Sequence, residues 1–282
     1  MELDPAVVRR AVATALEEDL ARDGDLTTEA LLDRQIVSTG HIVARAELVL
    51  AGCPVAREVF RALDADLQFE QHAPEGGRLR QGERVASIVG DVRPILGGER
   101  TALNFLMRMC GIASAAAEAV SEVAGTGCRI LDTRKTAPGL RHLDKYAVAC
   151  GGATNHRMGL YDAVMIKDTH LDAGFSVGQA VRRARDHGHA PRAITAEVRN
   201  LAQLEEAIGA GAGRALLDNM GLDGLRAAVR LAAGRIVLEA SGGFRPGGFR
   251  DVAETGVDCI SSGWLTHSAP AADLALEMER ER

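Results

Sequence analysis

Residues 193–240 read AITAEVRNLAQLEEAIGAGAGRALLDNMGLDGLRAAVRLAAGRIVLEA. Within this stretch, three short apolar runs at 193–198, 214–218 and 235–240 are separated by two longer amphipathic segments. Short runs rich in Ile, Val and Leu are typical of buried strands, whereas the longer segments have the apolar spacing of helices and end near glycine. The stretch therefore predicts a repeating strand–helix pattern.

The same pattern continues on both sides of this stretch, with further strand candidates at 128–133, 163–166 and 258–262. Six strands that alternate with helices indicate a parallel sheet with right-handed crossovers. Such a sheet is either open and doubly wound or rolled into a barrel, and in both cases ligands bind at the carboxyl ends of the strands. The sequence thus predicts an α/β fold with a site at one edge of the sheet.

The part of the chain before residue 128 has a mixed pattern. Apolar spacing and helix-forming residues predict helices at 5–20, 54–63 and 99–123, and strands at 41–50, 67–72 and 83–88. From residue 128 onward the pattern changes to the regular alternation described above.

The composition is that of a folded globular enzyme. The chain has 282 residues, of which 46% are hydrophobic and 26% charged, and a disordered chain would be less hydrophobic. Aromatic residues make up only 3%, so the core must consist mainly of Ala, Leu, Val and Ile. The net charge of −6 argues against a general nucleic-acid-binding protein, which needs an excess of Lys and Arg.

The sequence also has the features of a cytoplasmic protein. Its five cysteines form no Cys-x-x-Cys pair, which favours free thiols in a reducing compartment. The first residues lack a basic stretch followed by an apolar run, and no apolar run approaches the roughly 18–20 residues that a membrane span requires. We therefore expect neither a signal peptide nor a membrane segment.

All six predicted strands end in charged residues or glycine. These residues are Arg134 and Lys135 after the first strand, Lys167 after the second, Glu197 and Asp218 at the third and fourth, Ser241, Gly242 and Gly243 after the fifth, and Gly263 after the sixth. Because the carboxyl ends of parallel strands meet at one edge, we expect a ring of cations, acids and glycines there. His156 and Arg157, in the loop before the second strand, are suited to holding a carboxylate, and the whole ring indicates an anionic substrate.

The residue types in this ring indicate separate tasks. The chain has 30 Arg but only three Lys, and Lys135 and Lys167 are two of the three, so an ammonium group is favoured at both positions. The glycines allow backbone N–H groups to approach a phosphate. Glu197 and Asp218 are suited to ribose hydroxyls or to Mg²⁺.

Eight segments of the chain form a recognisable series. In chain order they are ERTALNFL (99–106), TRKTAPGLR (133–141), DKYAV (144–148), NHRMGLYD (155–162), IKD (166–168), LDNM (217–220), EASGG (239–243) and LTHS (265–268). The match runs from about residue 14 to residue 275 and therefore covers nearly the whole chain. On these segments the chain resembles the quinolinate phosphoribosyltransferase family.

The resemblance implies the fold and the assembly of that family. The expected fold is an incomplete six-stranded, TIM-like α/β barrel at 113–267 beside a mixed α+β N-terminal domain at 1–112, which the C-terminal tail at 268–282 joins. It also implies a homodimer with shared active sites, in which the N-terminal part of one subunit closes the barrel mouth of the other.

The resemblance further implies an activity and roles for the site residues. The activity is transfer of phosphoribosyl from phosphoribosyl pyrophosphate to quinolinate with decarboxylation, which requires Mg²⁺ and no organic cofactor. The residues that match the carboxylate anchors are Arg134, His156 and Arg157, with Arg100 reaching in from the other subunit. Lys135 and Lys167 match positions that serve the dicarboxylate and the pyrophosphate, Glu197 and Asp218 those that serve the ribose and Mg²⁺, and Ser241, Gly242, Gly243 and Gly263 the loops that hold the 5′-phosphate.

The sequence departs from the family pattern at Ala153, Thr169, Arg199 and Trp264. Arg199 stands where an acid usually follows Glu197 by two residues, and Trp264 replaces a small residue beside Gly263. Both departures lie next to expected site residues.

Two other functions remain open at this point. One is that of a related phosphoribosyltransferase of the molybdenum-transport-associated type, acting on another acidic aromatic. The other is that of a catalytically inactive, ligand-binding homologue. The presence of Arg134, His156 and Arg157 together favours quinolinate.

Overall fold

The computed structural model describes residues 2–32 and 35–279. The chain forms two compact units, which are Met1–Ala117 with Ala137–Gly152 and Ala269–Arg282 (the first unit) and Glu118–Thr136 with Ala153–Ser268 (the second unit). The boundaries expected from the sequence stay a prediction. They differ from these units mainly at 137–152, which those boundaries assign to the barrel.

The helices of the described residues follow one another along both units. They are α1 (Pro5–Leu20), α2 (Leu26–Leu31), α3 (Cys53–Leu63), α4 (Val92–Glu122), α5 (Arg141–Cys150), α6 (Asp168–Leu171), α7 (Val177–Asp186), α8 (Leu201–Ala210), α9 (Leu222–Ala232), α10 (Phe249–Ala253) and α11 (Trp264–His267), with a 3-10 turn at Pro191–Ala193. The helices expected at 5–20 and 54–63 are present, whereas α2 was not expected.

The strands of the described residues are short. They are β1 (Val37–Ala44), β2 (Leu48–Val49), β3 (Gln68–Gln71), β4 (Arg78–Leu79), β5 (Arg84–Asp91), β6 (Arg129–Leu131), β7 (Val164–Ile166), β8 (Ile194–Val198), β9 (Arg214–Asp218), β10 (Val237–Ser241), β11 (Cys259–Ser261) and β12 (Leu274–Met278). The single strand expected at 41–50 is wrong, because the chain bends after Ala44 and resumes as β2.

The first unit contains a four-stranded antiparallel sheet in the order β12-β1-β5-β3, and a separate pair of β2 and β4. The C-terminal strand β12 pairs with β1, with Gly40 opposite Met278 and Ala44 opposite Leu274. The tail of the chain is therefore part of the same sheet as the N-terminal segment.

The second unit contains a six-stranded parallel sheet in the order β6-β11-β10-β9-β8-β7. From β7 to β11, each strand pairs with the next one along the chain, which is the order of a barrel and not that of a doubly wound sheet. Among the described residues the ladder stays open between β6 and β7, although Thr154 forms a parallel bridge with Leu131. The expected α/β fold, with an incomplete six-stranded barrel and a mixed N-terminal part, is confirmed.

The long helix α4 begins seven residues earlier than the sequence predicted. Pro94 and the pair Gly97-Gly98 suggested a break, but proline is tolerated in the first turn of a helix. A Cβ atom on Gly98 would lie 3.0–3.1 Å from Leu63 and Phe60, so this glycine allows α3 and α4 to pack closely. The glycines therefore mark a packing contact inside a continuous helix.

By length and composition α4 could also cross a membrane, which the sequence analysis did not expect of any segment. In its most apolar window of 18 residues, however, 61% of the residues are buried inside the protein. We interpret α4 as the core helix of a folded domain.

The core of the second unit is built from small aliphatic side chains. The middle residues of β8, β9 and β10 are buried, among them Ala196, Ala215 and Ala240. This is the pattern of parallel strands that are covered on both faces. The low aromatic content of the chain is consistent with such a core.

Candidate active site

The carboxyl ends of the parallel strands surround a cavity of about 380 Å³, and every residue that lines it belongs to the second unit. The expected site residues among them are Arg134, Lys135, His156, Arg157, Lys167, Glu197, Asp218 and Ser241. A second cavity of about 270 Å³ shares Lys135, Asp218 and Ser241 with the first and adds Gly242, Gly243 and Gly263. The fold thus brings together all the expected site residues except Arg100.

Arg100 lies in the first unit, where it is an exposed residue of α4. Its expected task, contact with a substrate held by another subunit, stays a prediction.

Two hydrogen bonds hold the backbone of Lys135 at the rim of the cavity. The backbone N–H of Lys135 donates to Thr133 Oγ1 at 3.1 Å, and the hydroxyl of Thr266 donates to the carbonyl of Lys135 at 3.0 Å. The side chain is exposed. A fixed backbone with an exposed ammonium group is suited to meeting an incoming anion.

Arg134 and Arg157 bring two guanidinium groups to the same cavity. Arg157 is half-buried and donates through Nη1 to the carbonyl of Ala163 at 2.8 Å. Burial, together with the positive charge of Arg134, lowers the pKa of Arg157 below its ordinary value. Two like charges this close favour a ligand that carries two negative charges.

The loop that carries His156 is held by the buried carboxylate of Asp132. Asp132 accepts hydrogen bonds from the backbone N–H of His156 and from the side-chain amide of Asn155, both at 2.7 Å. The ring Nδ1 of His156 accepts the backbone N–H of Arg157 at 2.7 Å, so Nδ1 carries no proton. A neutral His156 therefore has its proton on Nε2, which lies 3.2 Å from Glu239 Oε2.

Glu239 is a fully buried residue of β10 in the wall of this cavity. Its Oε2 also accepts a hydrogen bond from Arg214 Nη1 at 3.0 Å. Burial alone would raise the pKa of Glu239, but His156, Ser261 and Arg214 together lower it below its ordinary value. Glu239 is therefore ionised at neutral pH and fixes the orientation of the His156 ring.

Asp168, Glu197 and Asp218 lie near the ends of β7, β8 and β9, and we refer to them as the carboxylate cluster. Lys167 Nζ lies 4.0 Å from Glu197 Oε2, while Arg199 contacts Asp168 and places its Nε 3.7 Å from Asp218 Oδ2. Burial, followed by the negative charge of Asp218, raises the pKa of Glu197 despite the opposing effect of Lys167. A carboxyl group in such a like-charged setting is typical of functional sites.

The carboxylate cluster does not fit a metal ion that the protein alone would hold. Carboxylate oxygens are suitable ligands for Mg²⁺, but the guanidinium of Arg199 already engages Asp168 and Asp218. Within residues 2–32 and 35–279, no group of three or more His, Cys, Asp or Glu side chains could hold a metal ion. The sequence-based prediction concerned Mg²⁺ that reaches Glu197 and Asp218 together with a substrate, and it stays a prediction.

The second cavity is bordered by glycines at positions where a side chain would change it. A Cβ atom on Gly263 would lie 2.8 Å from Lys135 Cδ and 3.0 Å from His267 Nε2, so only glycine fits between them. A Cβ atom on Gly243 would meet no atom within 4 Å, because this residue faces open space. Backbone N–H groups of such a glycine loop can approach a phosphate closely.

Asn219 shapes the boundary between the two cavities. Its backbone is left-handed (φ +53°), which Asn tolerates better than most residues. Its backbone N–H donates to the carbonyl of Ser241 at 2.9 Å, and its side-chain amide donates to Asp218 Oδ1 at 2.9 Å. The orientation of the Asp218 carboxylate therefore depends on this turn.

Sequence reasoning assigned no role to four polar residues that organise the site, namely Asp132, Asp168, Arg214 and Glu239. A local signal existed for two of them. Asp132 and Glu239 are charged residues inside the apolar runs CRILDT and RIVLEA, and a charge in a buried strand requires a partner. Asp168 and Arg214 had no such signal, because their partners come from distant parts of the chain.

Two family models match the chain. The model described as "Quinolinate phosphoribosyl transferase, N-terminal domain" matches residues 25–110, and the one described as "Quinolinate phosphoribosyl transferase, C-terminal domain" matches residues 112–277. Together they account for most of the sequence.

The chain is also similar to whole proteins. A Bacillus subtilis protein described as a probable nicotinate-nucleotide pyrophosphorylase [carboxylating] is 40% identical over 255 residues, which are 90% of this chain and 88% of the relative. A Synechocystis protein with the same description is 41% identical over 268 residues, covering 94% and 90%. The solved structure of the nicotinate-nucleotide pyrophosphorylase from Francisella tularensis has a TM-score of 0.94 at 35% identity, covering 99% of this chain and 98% of that one. From these matches, the chain belongs to the quinolinate phosphoribosyltransferase family.

Proposed function

We propose that this chain transfers phosphoribosyl from phosphoribosyl pyrophosphate to quinolinate with decarboxylation, giving nicotinate mononucleotide, carbon dioxide and pyrophosphate in NAD biosynthesis. The chain is a phosphoribosyltransferase by family. The observation that carries the proposal is the meeting of Arg134, Lys135 and Arg157 in one cavity that shares residues with a glycine-bordered cavity. This arrangement suits one ligand with two carboxylates and another with a phosphate.

Arg134 and Arg157 bind the two carboxylates of quinolinate in this proposal. A guanidinium matches a carboxylate with two parallel hydrogen bonds, and the mutual repulsion of the two arginines is relieved when a dianion binds. His156, oriented by Glu239, lies beside them and contributes its polar ring to the same ligand. Nicotinate has only one carboxylate and would leave part of this charge uncompensated.

Phosphoribosyl pyrophosphate binds across the remaining strand ends. Its 5′-phosphate meets the backbone of Ser241, Gly242 and Gly243 and of Gly263, while Lys135 and Lys167 compensate its pyrophosphate. Glu197 and Asp218 accept hydrogen bonds from the ribose hydroxyls. Two substrates held in this way react as if at very high concentration.

The transfer step requires no covalent intermediate with the protein. The bond from C1′ to the pyrophosphate oxygen breaks, the bond from the pyridine nitrogen to C1′ forms, and positive charge develops on the ribose in between. The carboxylate cluster stabilises that charge, and the cationic residues stabilise the departing pyrophosphate. The pyridine nitrogen becomes cationic in the product.

The cationic pyridinium then promotes the loss of carbon dioxide. When the bond between C2 and its carboxylate breaks, the electron pair stays on C2 beside the positive nitrogen, and C2 takes up a proton from water. The ring nitrogen thus serves as the electron sink, and we propose that no organic cofactor is needed. Mg²⁺ enters the proposal as part of the phosphoribosyl pyrophosphate substrate.

The proposal includes a homodimer with shared sites and a cytoplasmic location. Arg100 would complete the quinolinate pocket of the other subunit, which accounts for an exposed arginine on α4 that belongs to the first unit. All five cysteines are free, and four of them are buried, which supports a reducing compartment.

The function is tested by incubating the purified protein with quinolinate, phosphoribosyl pyrophosphate and Mg²⁺. We expect nicotinate mononucleotide, carbon dioxide and pyrophosphate in equal amounts. Turnover of nicotinate without carbon dioxide release would instead support a related phosphoribosyltransferase, and binding of quinolinate without any product would support an inactive homologue.

The shared site is tested by mixing two inactive variants, Arg100→Ala and Lys135→Ala, under conditions in which subunits exchange. If Arg100 acts across the dimer, each mixed dimer contains one doubly altered site and one intact site, so about a quarter of all sites regain activity. As a matched control, Arg134→Ala mixed with Lys135→Ala should recover nothing, because both residues belong to the second unit. Absence of recovery with Arg100→Ala, when mass spectrometry demonstrates exchange, contradicts the shared site.

A further inference from the structure

The side chain of Arg199 lies within the carboxylate cluster. Its guanidinium contacts Asp168 and, through Nε, lies 3.7 Å from Asp218 Oδ2. Lys167 lies 4.0 Å from the third carboxylate, that of Glu197. Each carboxylate of the cluster therefore has a protein cation beside it.

The backbone of Arg199 is fixed at the start of α8. The backbone N–H of Arg199 donates to Gln203 Oε1 at 2.8 Å, and Asn200 Oδ1 accepts the backbone N–H of Gln203 at 2.9 Å. These reciprocal bonds close the first turn of the helix. Arg199 thus projects from a defined position, although its side chain is 56% exposed.

The local charge depends strongly on this residue. Three carboxylates and two cations, Lys167 and Arg199, give the group a formal charge of −1, and loss of Arg199 would change it to −2. A divalent ion near these carboxylates would feel both the loss of their oxygen lone pairs to the guanidinium and the repulsion of its positive charge.

We propose that Arg199 is a resident cation that prevents the free enzyme from binding a divalent metal ion at the carboxylate cluster. The divalent ion then reaches this site only as its complex with the pyrophosphate substrate. The inference deepens the proposed function, but its test uses only metal binding by the free protein. It therefore stays decidable even if nicotinate mononucleotide is not the product.

The test is titration of the metal-free, full-length protein with Mn²⁺, with the unbound ion measured by electron paramagnetic resonance. We expect weak binding by the original protein and at least about tenfold tighter binding by Arg199→Ala, because one positive charge is removed within a few ångströms of the ion. Arg199→Lys keeps the charge and should bind Mn²⁺ as weakly as the original protein.

Arg226→Ala is the matched control, since Arg226 also pairs with an aspartate, Asp223 at 3.0 Å, but lies on the outer helix α9. It should leave Mn²⁺ binding unchanged. Arg199→Gln provides a second neutral variant if Arg199→Ala does not fold.

Two results would overturn the inference. In the first, the neutral Arg199 variants bind Mn²⁺ no more tightly than the original protein. In the second, Arg199→Lys or Arg226→Ala binds as tightly as Arg199→Ala, because the effect would then not arise from a positive charge at this position.

Discussion

Glu75 in the first unit and Glu197 in the second are both partly buried carboxylates, but their surroundings differ. Glu75 accepts hydrogen bonds from the backbone N–H groups of Gly52 (2.8 Å) and Cys53 (3.0 Å) and from the hydroxyl of Tyr146 (2.9 Å). The cation beside Glu197, Lys167, is 4.0 Å away, and the charge of Asp218 helps to raise the pKa of Glu197.

The difference separates a carboxylate used for stability from one used for function. Gly52 and Cys53 begin α3, so Glu75 compensates N–H groups that have no partner within the helix and interacts favourably with its dipole. Its hydrogen-bonding capacity is used within the fold. Glu197 is held among like charges, at a cost in stability, and is therefore available to a substrate.

Lys135→Arg should have the largest effect, because it tests whether the second unit depends on shape as well as charge. We expect kcat/KM to fall by about 100-fold, since the guanidinium cannot take the position of a compact ammonium group, and small misplacements in an active site are costly. The melting temperature should stay unchanged. Near-normal turnover by Lys135→Arg, with Arg226→Lys as the control, would refute the role of Lys135.

Glu75→Ala tests the stabilising side of the comparison. We expect the free energy of unfolding, measured in urea, to fall by about 2 kcal/mol, because three donors lose a charged acceptor. Glu70→Ala removes an exposed carboxylate of the same unit and should change stability by less than about 0.5 kcal/mol. Equal losses in the two variants would show that the hydrogen bonds of Glu75 are not what stabilises the unit.

Asp218→Asn tests the division of labour within the active site. Affinity for phosphoribosyl pyrophosphate, measured by calorimetry, should weaken by about tenfold, the typical effect of losing a charged hydrogen-bond partner, whereas affinity for quinolinate should change little. Asp223→Asn, at an exposed aspartate of α9, serves as the control. If both ligands lose affinity equally, Asp218 does not lie on the ribose side.

Glu197→Gln should have the smallest effect, on stability. Because the pKa of Glu197 is raised in the folded protein, the folded state holds its proton more tightly, and this carboxyl destabilises the fold as the pH rises through that range. Glu197→Gln should therefore be more stable than the original protein at neutral pH, by less than about 1 kcal/mol. The gain should vanish below the ordinary pKa of a glutamate, and urea unfolding at both pH values would detect a gain that is independent of pH, which contradicts this account.

The positions of the parallel strands could be predicted well because their signals are local. The expected strand at 214–218 coincides with β9 (Arg214–Asp218), whereas β10 begins at Val237, two residues later than expected. The reason is Arg235, whose guanidinium donates to the carbonyl groups of Leu231 and Ala232 at the end of α9. This residue belongs to the helix end, which an apolar pattern does not reveal.

The sequence by itself determined the alternation of strands and helices and the charged or glycine residues at the strand ends, since apolar period, turn residues and strand length act over a few residues. Only the tertiary structure decided the barrel-like strand order, the contact of His156 with Glu239 and the reach of Arg199 to Asp168 and Asp218. These pairings join residues that are far apart along the chain. No local pattern specifies them, because they form only when the strands that carry them pack side by side.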